Sequence, residues 1–455
     1  MSTYLKNDLD DTICAPATAG GVGAIGVIRV SGNNAIKIVD EVFSGKNLSE
    51  QASHTIHFGK IMDATKTLDE VLASVFVSPK SYTGENTIEL SCHGSPFIQQ
   101  QILQLLVSKG CRMAKPGEFT LRAFLNKKLD LSQAEAVADL IASNSEETHR
   151  TAMMQMRGGF SQQIADMRER LINFASLIEL ELDFGEEDVE FASRHDLNAF
   201  VTKIQTLIDA LIESFKYGNV LRNGIPTVIA GKPNAGKSTL LNALINDERA
   251  IVSDIAGTTR DTIEEAFIIE GITFRLIDTA GIRAHTADII EGLGIERTYE
   301  KIKQASIIIY VFDANTTSEE ALKNELSSFD GINAIVIPVA NKSDLLQSTS
   351  THKNAIALSA KDKLGMDILK QRLSEIVKKD EVKNDIIITN LRHYEALQHA
   401  SNALQEVQKG IDTKISGELL AFDIRKALFH LGEITGEVTT DDLLANIFSK
   451  FCIGK

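Results

Sequence analysis

The 455-residue sequence has few prolines and cysteines, and it has no long apolar run. Its seven prolines form no Pro-rich linker, and its composition is that of an ordinary globular protein. The four cysteines show no CxxC spacing, which argues against a zinc site and a disulfide framework. No stretch approaches the roughly 18 apolar residues that span a bilayer, and the acidic start MSTYLKNDLDD is unlike a secretory signal. We therefore expect a cytoplasmic protein that does not enter a membrane.

Basic residues are also in the minority, because 47 Lys and Arg against 62 Asp and Glu give a formal net charge of -15. Such a chain does not hold nucleic acid by bulk charge alone, since that mode of binding needs a dense basic face. Seven acidic residues lie between Glu179 and Glu190 with no basic residue among them. We expect this stretch to repel a phosphate backbone, so a nucleic acid is expected to contact other faces or to be held mainly by a partner protein.

Length and periodicity together predict a multidomain chain. At roughly 150 residues per domain, two or three domains are expected. Strand-type runs and one helix, Phe97 to Lys109, predict a first domain of α+β type. Helical spacing then appears twice, on both sides of a region in which buried strands alternate with helices. The predicted segments are an α+β domain over 1–118, an all-α helical domain split over 119–217 and 381–455, and an inserted α/β domain with a mostly parallel sheet over 218–380.

Two details of the helical segments can be compared directly with a structure. Ser132 and Glu135 have the spacing of a capping box, which predicts that a helix begins at Ser132. Apolar residues spaced by three, four or seven predict the buried stripes of the helices. These positions are Ile164, Met167, Leu171, Ile178 and Leu182 in the first half, and Leu397, Leu404, Val407, Leu419, Leu428, Leu431, Leu444 and Phe448 in the second.

A phosphate-binding motif opens the α/β segment. Gly231-Lys232-Pro233-Asn234-Ala235-Gly236-Lys237-Ser238 fits GxxxxGK[ST] and lies between a predicted strand and a predicted helix. Its glycines allow backbone N–H groups to fold around phosphates. Lys237 is then expected to reach the β and γ oxygens, and the Ser238 hydroxyl to bind magnesium.

Three further motifs follow in the order expected of a guanine-nucleotide site. Asp278-Thr279-Ala280-Gly281 closes a predicted strand and supplies groups for magnesium and the γ-phosphate. Asn341-Lys342-Ser343-Asp344 places the Asp344 carboxylate where it accepts two N–H groups of guanine. Adenine would leave this carboxylate unpaired, so the residue selects GTP. Ser359-Ala360-Lys361 completes the base-binding loop, and the four motifs together predict binding of guanine nucleotide.

The catalytic glutamine of Ras-type GTPases is missing. It would directly follow the glycine of the Asp278 motif, where this chain has Ile282. Isoleucine cannot orient water, so another polar group has to do so. Arg260, Arg275 and Arg283 lie in the segment, but the sequence assigns none of them as an arginine finger.

These motifs resemble the family of tRNA modification GTPases known as MnmE or TrmE. The resemblance rests on the four nucleotide motifs, on Asn234, on Asp254-Ile255-Ala256-Gly257-Thr258-Thr259-Arg260-Asp261 and on the terminal Phe451-Cys452-Ile453-Gly454-Lys455. It extends over essentially the whole chain, including TICAPATAGGVGAIGVIRVSG near the start and PGEFTLRAFLNKKLDLSQAEAVADLI in the middle.

The resemblance implies a potassium ion in place of the arginine finger, held by Asn234, Ser253, Ile255 and Thr258. It implies that Thr259 joins Ser238 on magnesium. The water-orienting glutamate corresponds to Glu291, although this sequence carries one extra residue between Gly281 and Glu291. The implied GTP contacts are Asn234, Ala235, Gly236, Lys237, Ser238, Thr239, Ser253, Asp254, Ile255, Ala256, Gly257, Thr258, Thr259, Asp278, Thr279, Ala280, Gly281, Asn341, Lys342, Asp344, Ser359 and Ala360.

For the first domain the resemblance implies homodimerisation and binding of 5-formyl- or methylene-tetrahydrofolate. Arg29, Glu89, Lys128 and Lys455 match the folate positions, where a carboxylate suits the pterin N–H groups and Arg or Lys the glutamyl tail. Cys452 matches a residue that matters to the modification.

The implied reaction installs an aminomethyl or carboxymethylaminomethyl group at carbon 5 of the tRNA wobble uridine, with the flavoprotein MnmG (GidA) as partner. Two other functions stay open on the residues alone. One is a ribosome-assembly or signalling GTPase whose flanking domains only bind partners. The other is a folate-dependent transferase in which the GTPase is regulatory.

Overall fold

The computed structural model describes residues 10–183, 193–247, 265–277, 302–346, 352, 354–378 and 386–454. They belong to two compact units. The first unit draws on Met1–Ile141, Met154–Val201 and Asn402–Lys455, and the second on Ala142–Met153 and Thr202–Ser401. The boundaries at residues 118, 217 and 380 stay a prediction. None of the described helices combines the length and the hydropathy needed to cross a bilayer.

Both units contain strands and helices. The strands are β1 (Ile13–Pro16), β2 (Ile25–Ser31), β3 (Phe43–Ser44), β4 (Thr55–Asp63), β5 (Lys66–Phe76), β6 (Thr87–His93), β7 (Arg112–Met113), β8 (Ile225–Ala230), β9 (Glu265–Ile269), β10 (Ile272–Leu276), β11 (Ile307–Asp313), β12 (Ile335–Asn341) and β13 (Ile356–Ala357). The helices are α1 (Ala35–Val42), α2 (Pro96–Ser108), α3 (Glu118–Leu125), α4 (Leu131–Ala142), α5 (Glu146–Met156), α6 (Gly159–Asp183), α7 (Arg194–Asn223), α8 (Lys237–Asp247), α9 (Glu319–Leu326), α10 (Met366–Lys378), α11 (Leu391–Asp412), α12 (Gly417–Thr435) and α13 (Asp441–Phe448).

The first unit contains a seven-stranded sheet in the order β3-β4-β5-β6-β2-β1-β7. Its neighbours are antiparallel except for the parallel pair β1–β7. Alternate residues of β2 and β6 are fully buried, among them Ile28 and Leu90, and they share a core with α1 and α2. The α+β prediction is confirmed, and the predicted helix corresponds to α2. Helix α1, with Ile38 and Val39 on its buried face, was not predicted.

Helices α6 and α12 pack together in the same unit, and most of the predicted stripe of α6 is buried. The stripe is wrong at its end, because Leu182 is 46% exposed. It is also wrong on α12, where Leu420 and Ile424 are buried while Leu419 is 55% exposed. The partner surface of each helix, which the spacing does not reveal, decides these positions.

The predicted capping box is also wrong in position. Helix α4 begins at Leu131, and the reciprocal bonds join Asp130 to Gln133: the Gln133 N–H donates to Asp130 Oδ1 at 2.9 Å, and the Asp130 N–H donates to Gln133 Oε1 at 3.0 Å. The helix therefore starts one residue earlier than Ser132 predicts, and its residues Leu131 and Ala134 are fully buried.

The second unit contains a six-stranded sheet in the order β13-β12-β11-β8-β10-β9. All of its pairs are parallel except β9–β10, which confirms the mostly parallel sheet of a GTPase-type domain. Six of the seven residues of β11 are buried, as expected of a central strand covered on both faces. Strand β9 was not predicted. Tyr217 and Leu221, at the end of α7, lie in the core beneath this sheet.

Candidate functional site

The phosphate-binding loop leaves the sheet at β8 and enters α8, as its motif predicts. Gly231 has φ 143°, and a Cβ there would lie 2.0 Å from the Val311 carbonyl oxygen. Asn234 adopts the left-handed conformation, with φ 63°. Only glycine allows the close approach between residue 231 and the Val311 carbonyl, so the neighbouring strand β11 fixes the backbone of the loop at this point.

Lys237 directs its ammonium group back across the loop. Its Nζ donates to the carbonyl oxygens of Gly231 and Lys232, at 2.8 Å in each case. Burial lowers the pKa of Lys237, because the charged form has lost part of its hydration. A partly desolvated cation beside the first turn of α8, where Ser238 and Thr239 follow, suits a phosphate group.

Asn341 joins this loop to the loop that is predicted to bind the base. Its Nδ2 donates to the Ala235 carbonyl at 2.8 Å, and its Oδ1 accepts from the Ala360 N–H at 3.0 Å. All three residues are buried, with 2 to 3% exposed. Gly236 completes the junction, because a Cβ there would lie 2.1 Å from Asn341 Nδ2. Motifs more than 100 residues apart in sequence are therefore held by one amide side chain.

The other residues that are predicted to bind the base follow Asn341 or lie in the loop that begins at Ser359. Lys342 has a left-handed backbone, with φ 63°, and its Nζ lies 2.7 Å from Asp313 Oδ2 at the end of β11. Ser359 is fully buried and donates to Asp362 Oδ2 at 3.0 Å. Asp344, which is predicted to accept N–H groups of guanine, is exposed.

Sequence reasoning missed one anchor of the phosphate-binding loop. Lys232 forms an ion pair with Glu325 on α9, and the Tyr310 hydroxyl donates to the same carboxylate at 2.6 Å. Burial and the Glu325 carboxylate together raise the pKa of Tyr310. The only signal in the sequence was a lysine at a variable position of the motif, and such a lysine is ordinarily solvated.

Many predicted nucleotide and metal contacts lie outside the described residues. They are Ser253, Asp254, Ile255, Ala256, Gly257, Thr258, Thr259, Asp278, Thr279, Ala280, Gly281 and Glu291, together with Lys455 of the folate set.

In the first unit, two of the predicted folate residues form an ion pair. Arg29 on β2 and Glu89 on β6 are direct neighbours in the antiparallel register, and Arg29 Nε donates to Glu89 Oε1 at 2.9 Å. The guanidinium also lies 5.2 Å from the ring centre of Tyr82 and 5.6 Å from that of Phe119. Both charged side chains are only partly exposed, at 19% and 28%. The result is a charged pair beside two aromatic rings, and neither ring was predicted from sequence.

Lys128 and Gly454, the last described residue, belong to two segments that approach the same region. Lys128 Nζ donates to the Pro79 carbonyl at 3.2 Å, in the loop that carries Tyr82. The end of the chain lies against β1, because a Cβ on Gly454 would be 1.9 Å from the Pro16 carbonyl oxygen. Pro16 pairs with Ile28, the residue next to Arg29.

The exposed Cys452 belongs to this terminal segment, and its carbonyl accepts from the Gly117 N–H at 3.4 Å. The other three cysteines, Cys14, Cys92 and Cys111, are buried and free. Burial, followed by the charge of Asp69, raises the pKa of Cys92 to about 11. Cys452 is therefore the accessible thiol among them.

A buried ionic cluster holds the helix that carries Phe119. Arg122 is 1% exposed and lies 3.1 Å from Glu118 and 3.2 Å from Glu85, while Arg112 lies 2.7 Å from Glu118. Burial opposes ionisation of Glu118, yet hydrogen bonds from Arg112 and from the Lys115 N–H, with the charge of Arg122, lower its pKa. The cluster fixes α3, which carries Phe119.

Two protein-family models match most of the chain. The family model described as the GTP-binding protein TrmE N-terminus matches residues 12–128, and the model described as the MnmE helical domain matches residues 131–452. A tRNA modification GTPase MnmE from Cytophaga hutchinsonii is 55% identical, covering 100% of both chains. One from Bacteroides fragilis is 53% identical and covers 98% of this chain and 99% of that protein.

Among solved structures, the translation elongation factor SelB from Methanococcus maripaludis, in complex with the GTP analogue GppNHp, is 23% identical, with a TM-score of 0.25. The match covers 35% of this chain and 34% of SelB. Two family models and full-length identity above 50% agree with the nucleotide motifs and with the fold of both units. The chain belongs to the MnmE family of tRNA modification GTPases.

Proposed function

We propose that this protein is a potassium-dependent GTPase that works with a flavoprotein to modify the wobble uridine of tRNA. The nucleotide part rests on one observation above all: Asn341 links the phosphate-binding loop to the base-binding loop through two buried hydrogen bonds. Such a link brings the phosphate-binding and base-binding halves of a nucleotide site into one rigid arrangement. The tRNA part rests on family membership.

In the proposed site, Lys237 and the first turn of α8 hold the phosphates, and Asp344 selects guanine. Lys342, whose ammonium group is paired with Asp313, would lie beside the base. Ser238 and Thr259 would hold magnesium, since hydroxyl oxygens suit this hard cation. Asn234, Ser253, Ile255 and Thr258 would supply oxygen ligands to potassium, and the left-handed backbone of Asn234 fits a loop that turns toward the phosphates. Bound there, a monovalent cation offsets negative charge that develops on the phosphates.

Comparing GTP hydrolysis in potassium with hydrolysis in sodium tests this assignment. The expected result is faster hydrolysis in potassium, and Asn234→Ala should reduce the difference between the two ions. Equal rates in both ions for the unaltered protein would refute the potassium proposal but leave the guanine site intact. Glu291→Gln should slow hydrolysis at unchanged GTP affinity if Glu291 orients the water.

Folate is proposed to bind beside Arg29 and Glu89. The donor set fits such a ligand, because a carboxylate suits pterin N–H groups, the partly exposed ring of Tyr82 suits a flat heterocycle, and Lys128 suits a glutamyl carboxylate. Tetrahydrofolate would supply the one-carbon unit of the modification, with Lys455 and Cys452 on the terminal segment that reaches β1. Removing Lys455 is expected to weaken folate binding and to leave GTP hydrolysis unchanged.

The proposed homodimer uses the outer face of the first sheet. Phe58 on β4 and Leu72 on β5 are direct register neighbours, and they are 63% and 46% exposed. Ile56 extends the same face and is 65% exposed. A contiguous apolar face of this kind favours association with a second copy. Phe58→Asp is expected to give a monomer in sedimentation. Lys109→Asp, which changes an exposed charge at the end of α2 and away from this face, should remain dimeric.

Mass spectrometry of wobble uridines from cells with and without the protein separates this proposal from a ribosome-assembly GTPase. The modified nucleoside should disappear when the chain is absent. It should return with the intact chain and not with the Lys237→Ala variant. Unchanged nucleosides would favour the ribosome-assembly alternative. Copurification with the flavoprotein MnmG (GidA) would test the partner directly.

A further inference from the structure

The hairpin of β9 and β10 lies between two nucleotide-contacting segments of the sequence. Residues 253–259 precede it and residues 278–281 follow it. Its open ends are held side by side, because Glu265 pairs with Leu276. Leu276 also pairs with Thr227 on β8, the strand that leads to the phosphate-binding loop. A shift of the hairpin therefore moves Glu265 and Leu276, which lie at its open end, relative to that loop.

The closed end of the hairpin is a tight two-residue turn with an unusual residue. Glu270 has φ 48° and Gly271 has φ 79°, so both adopt the left-handed conformation that such hairpins require. Asn or Gly is the usual first residue, and a glutamate there carries backbone strain. The Glu270 carboxylate accepts a hydrogen bond from the Ser374 hydroxyl of α10 at 2.6 Å. The strained residue thus ties the turn to a neighbouring helix.

On its other side the turn is held by residues from far earlier in the chain. Thr273 is 8% exposed, and its Oγ1 donates to Asn144 Oδ1 at 3.1 Å. A Cβ on Gly271 would lie 3.3 Å from Glu147 Cγ. Asn144 directly precedes a capped helix start, in which the Ser145 N–H donates to the Thr148 hydroxyl at 3.1 Å. The Asn144 side chain is therefore presented by ordered backbone.

We propose that Asn144 is a positioning residue for the GTPase reaction, acting through Thr273 on the hairpin. The inference rests on the proposed assignment of residues 253–259 and 278–281 to GTP. GTP and GDP differ at the γ-phosphate, which those segments are proposed to contact. We therefore expect the position of the hairpin, which joins the two segments in the sequence, to differ between the GTP-bound and GDP-bound states. Any difference in the free energy of the Asn144–Thr273 hydrogen bond between the GTP-bound and GDP-bound states changes the ratio of GTP affinity to GDP affinity by the corresponding factor.

The test uses the full chain and two matched pairs of variants. Asn144→Leu and Thr273→Val remove the hydrogen bond and approximately keep side-chain shape. Asn144→Asp retains the acceptor oxygen, and Thr273→Ser retains the hydroxyl. The measurements are the ratio of GTP to GDP affinity, the turnover rate and the thermal unfolding midpoint. Gln205→Leu, which removes a side-chain bond to Ser401 elsewhere in the same unit, is the control.

Asn144→Leu and Thr273→Val should each change the affinity ratio or the turnover rate by about three- to tenfold, the size expected for one hydrogen bond. The double variant should change them no further. Asn144→Asp and Thr273→Ser should stay close to the unaltered protein, and so should Gln205→Leu. Folded variants with unchanged ratio and turnover, or variants that lower only the unfolding midpoint, would overturn the proposal. An unaltered protein that does not hydrolyse GTP would instead refute the proposed function.

Discussion

The buried Asn341 bridge gives the sharpest quantitative expectation. In Asn341→Ala, the Ala235 carbonyl and the Ala360 N–H both lose their partner in a site that is 2 to 3% exposed. Leaving a buried polar group unsatisfied costs about 1–3 kcal/mol, so two such groups cost about 2–6 kcal/mol. Even if only about 2 kcal/mol of this falls on the arrangement that binds nucleotide, GTP affinity decreases about 30-fold.

Two measurements check this reasoning on the same samples. Calorimetric titration with GTP gives the affinity, and chemical denaturation gives the free energy of unfolding. The control is Asn324→Ala, which makes the same substitution at an exposed position of α9 and should change neither quantity by more than about 0.5 kcal/mol. GTP affinity within twofold of the unaltered protein, in a folded Asn341→Ala variant, would refute the role of the bridge.

Three further outcomes are expected. Asp344→Asn should exchange guanine affinity for xanthine affinity in competition binding, and a retained preference for GTP would show that the pocket is misplaced. Arg29→Gln should weaken folate binding by tenfold or more at unchanged GTP hydrolysis, as one lost charge-assisted bond predicts. Glu118→Gln should destabilise the first unit at neutral pH. Since the folded pKa of Glu118 is lowered, its contribution is present above roughly pH 4.3 and is lost as pH falls below that value, so the two unfolding curves should converge in acid.

The nucleotide motifs were predictable because each is local. A glycine with φ 143° beside a strand, or a lysine at the start of a helix, follows from a few consecutive residues. The Asn341 bridge was harder to predict, because it depends on which strands are neighbours in the sheet. The Arg29–Glu89 pair spans 60 residues and depends on register, and Tyr82 and Phe119 join it from a loop and a helix.

Where sequence reasoning failed, burial decided between local signals of equal strength. Ser132 with Glu135 and Asp130 with Gln133 both have the spacing of a capping box. The reciprocal bonds form between Asp130 and Gln133, so the helix starts at Leu131, and the spacing within the helix does not distinguish the two possibilities. The hairpin turn at Glu270 and Gly271 was missed for a related reason, since glutamate is a poor turn residue and its bond to Ser374 joins residues 104 positions apart in the sequence.

The way the last helix packs has a consequence for synthesis on the ribosome. Phe448 of α13 lies against Phe124 of α3, and a Cβ on Gly117 would be 2.5 Å from the Phe448 carbonyl oxygen. More than 300 residues separate the end of α3 from the start of α13. At about 5–20 residues per second, that interval lasts roughly 15 to 65 seconds. Throughout this interval the nascent first unit exposes the apolar surface that α13 later covers, so chaperones that bind such surfaces have time to act on it.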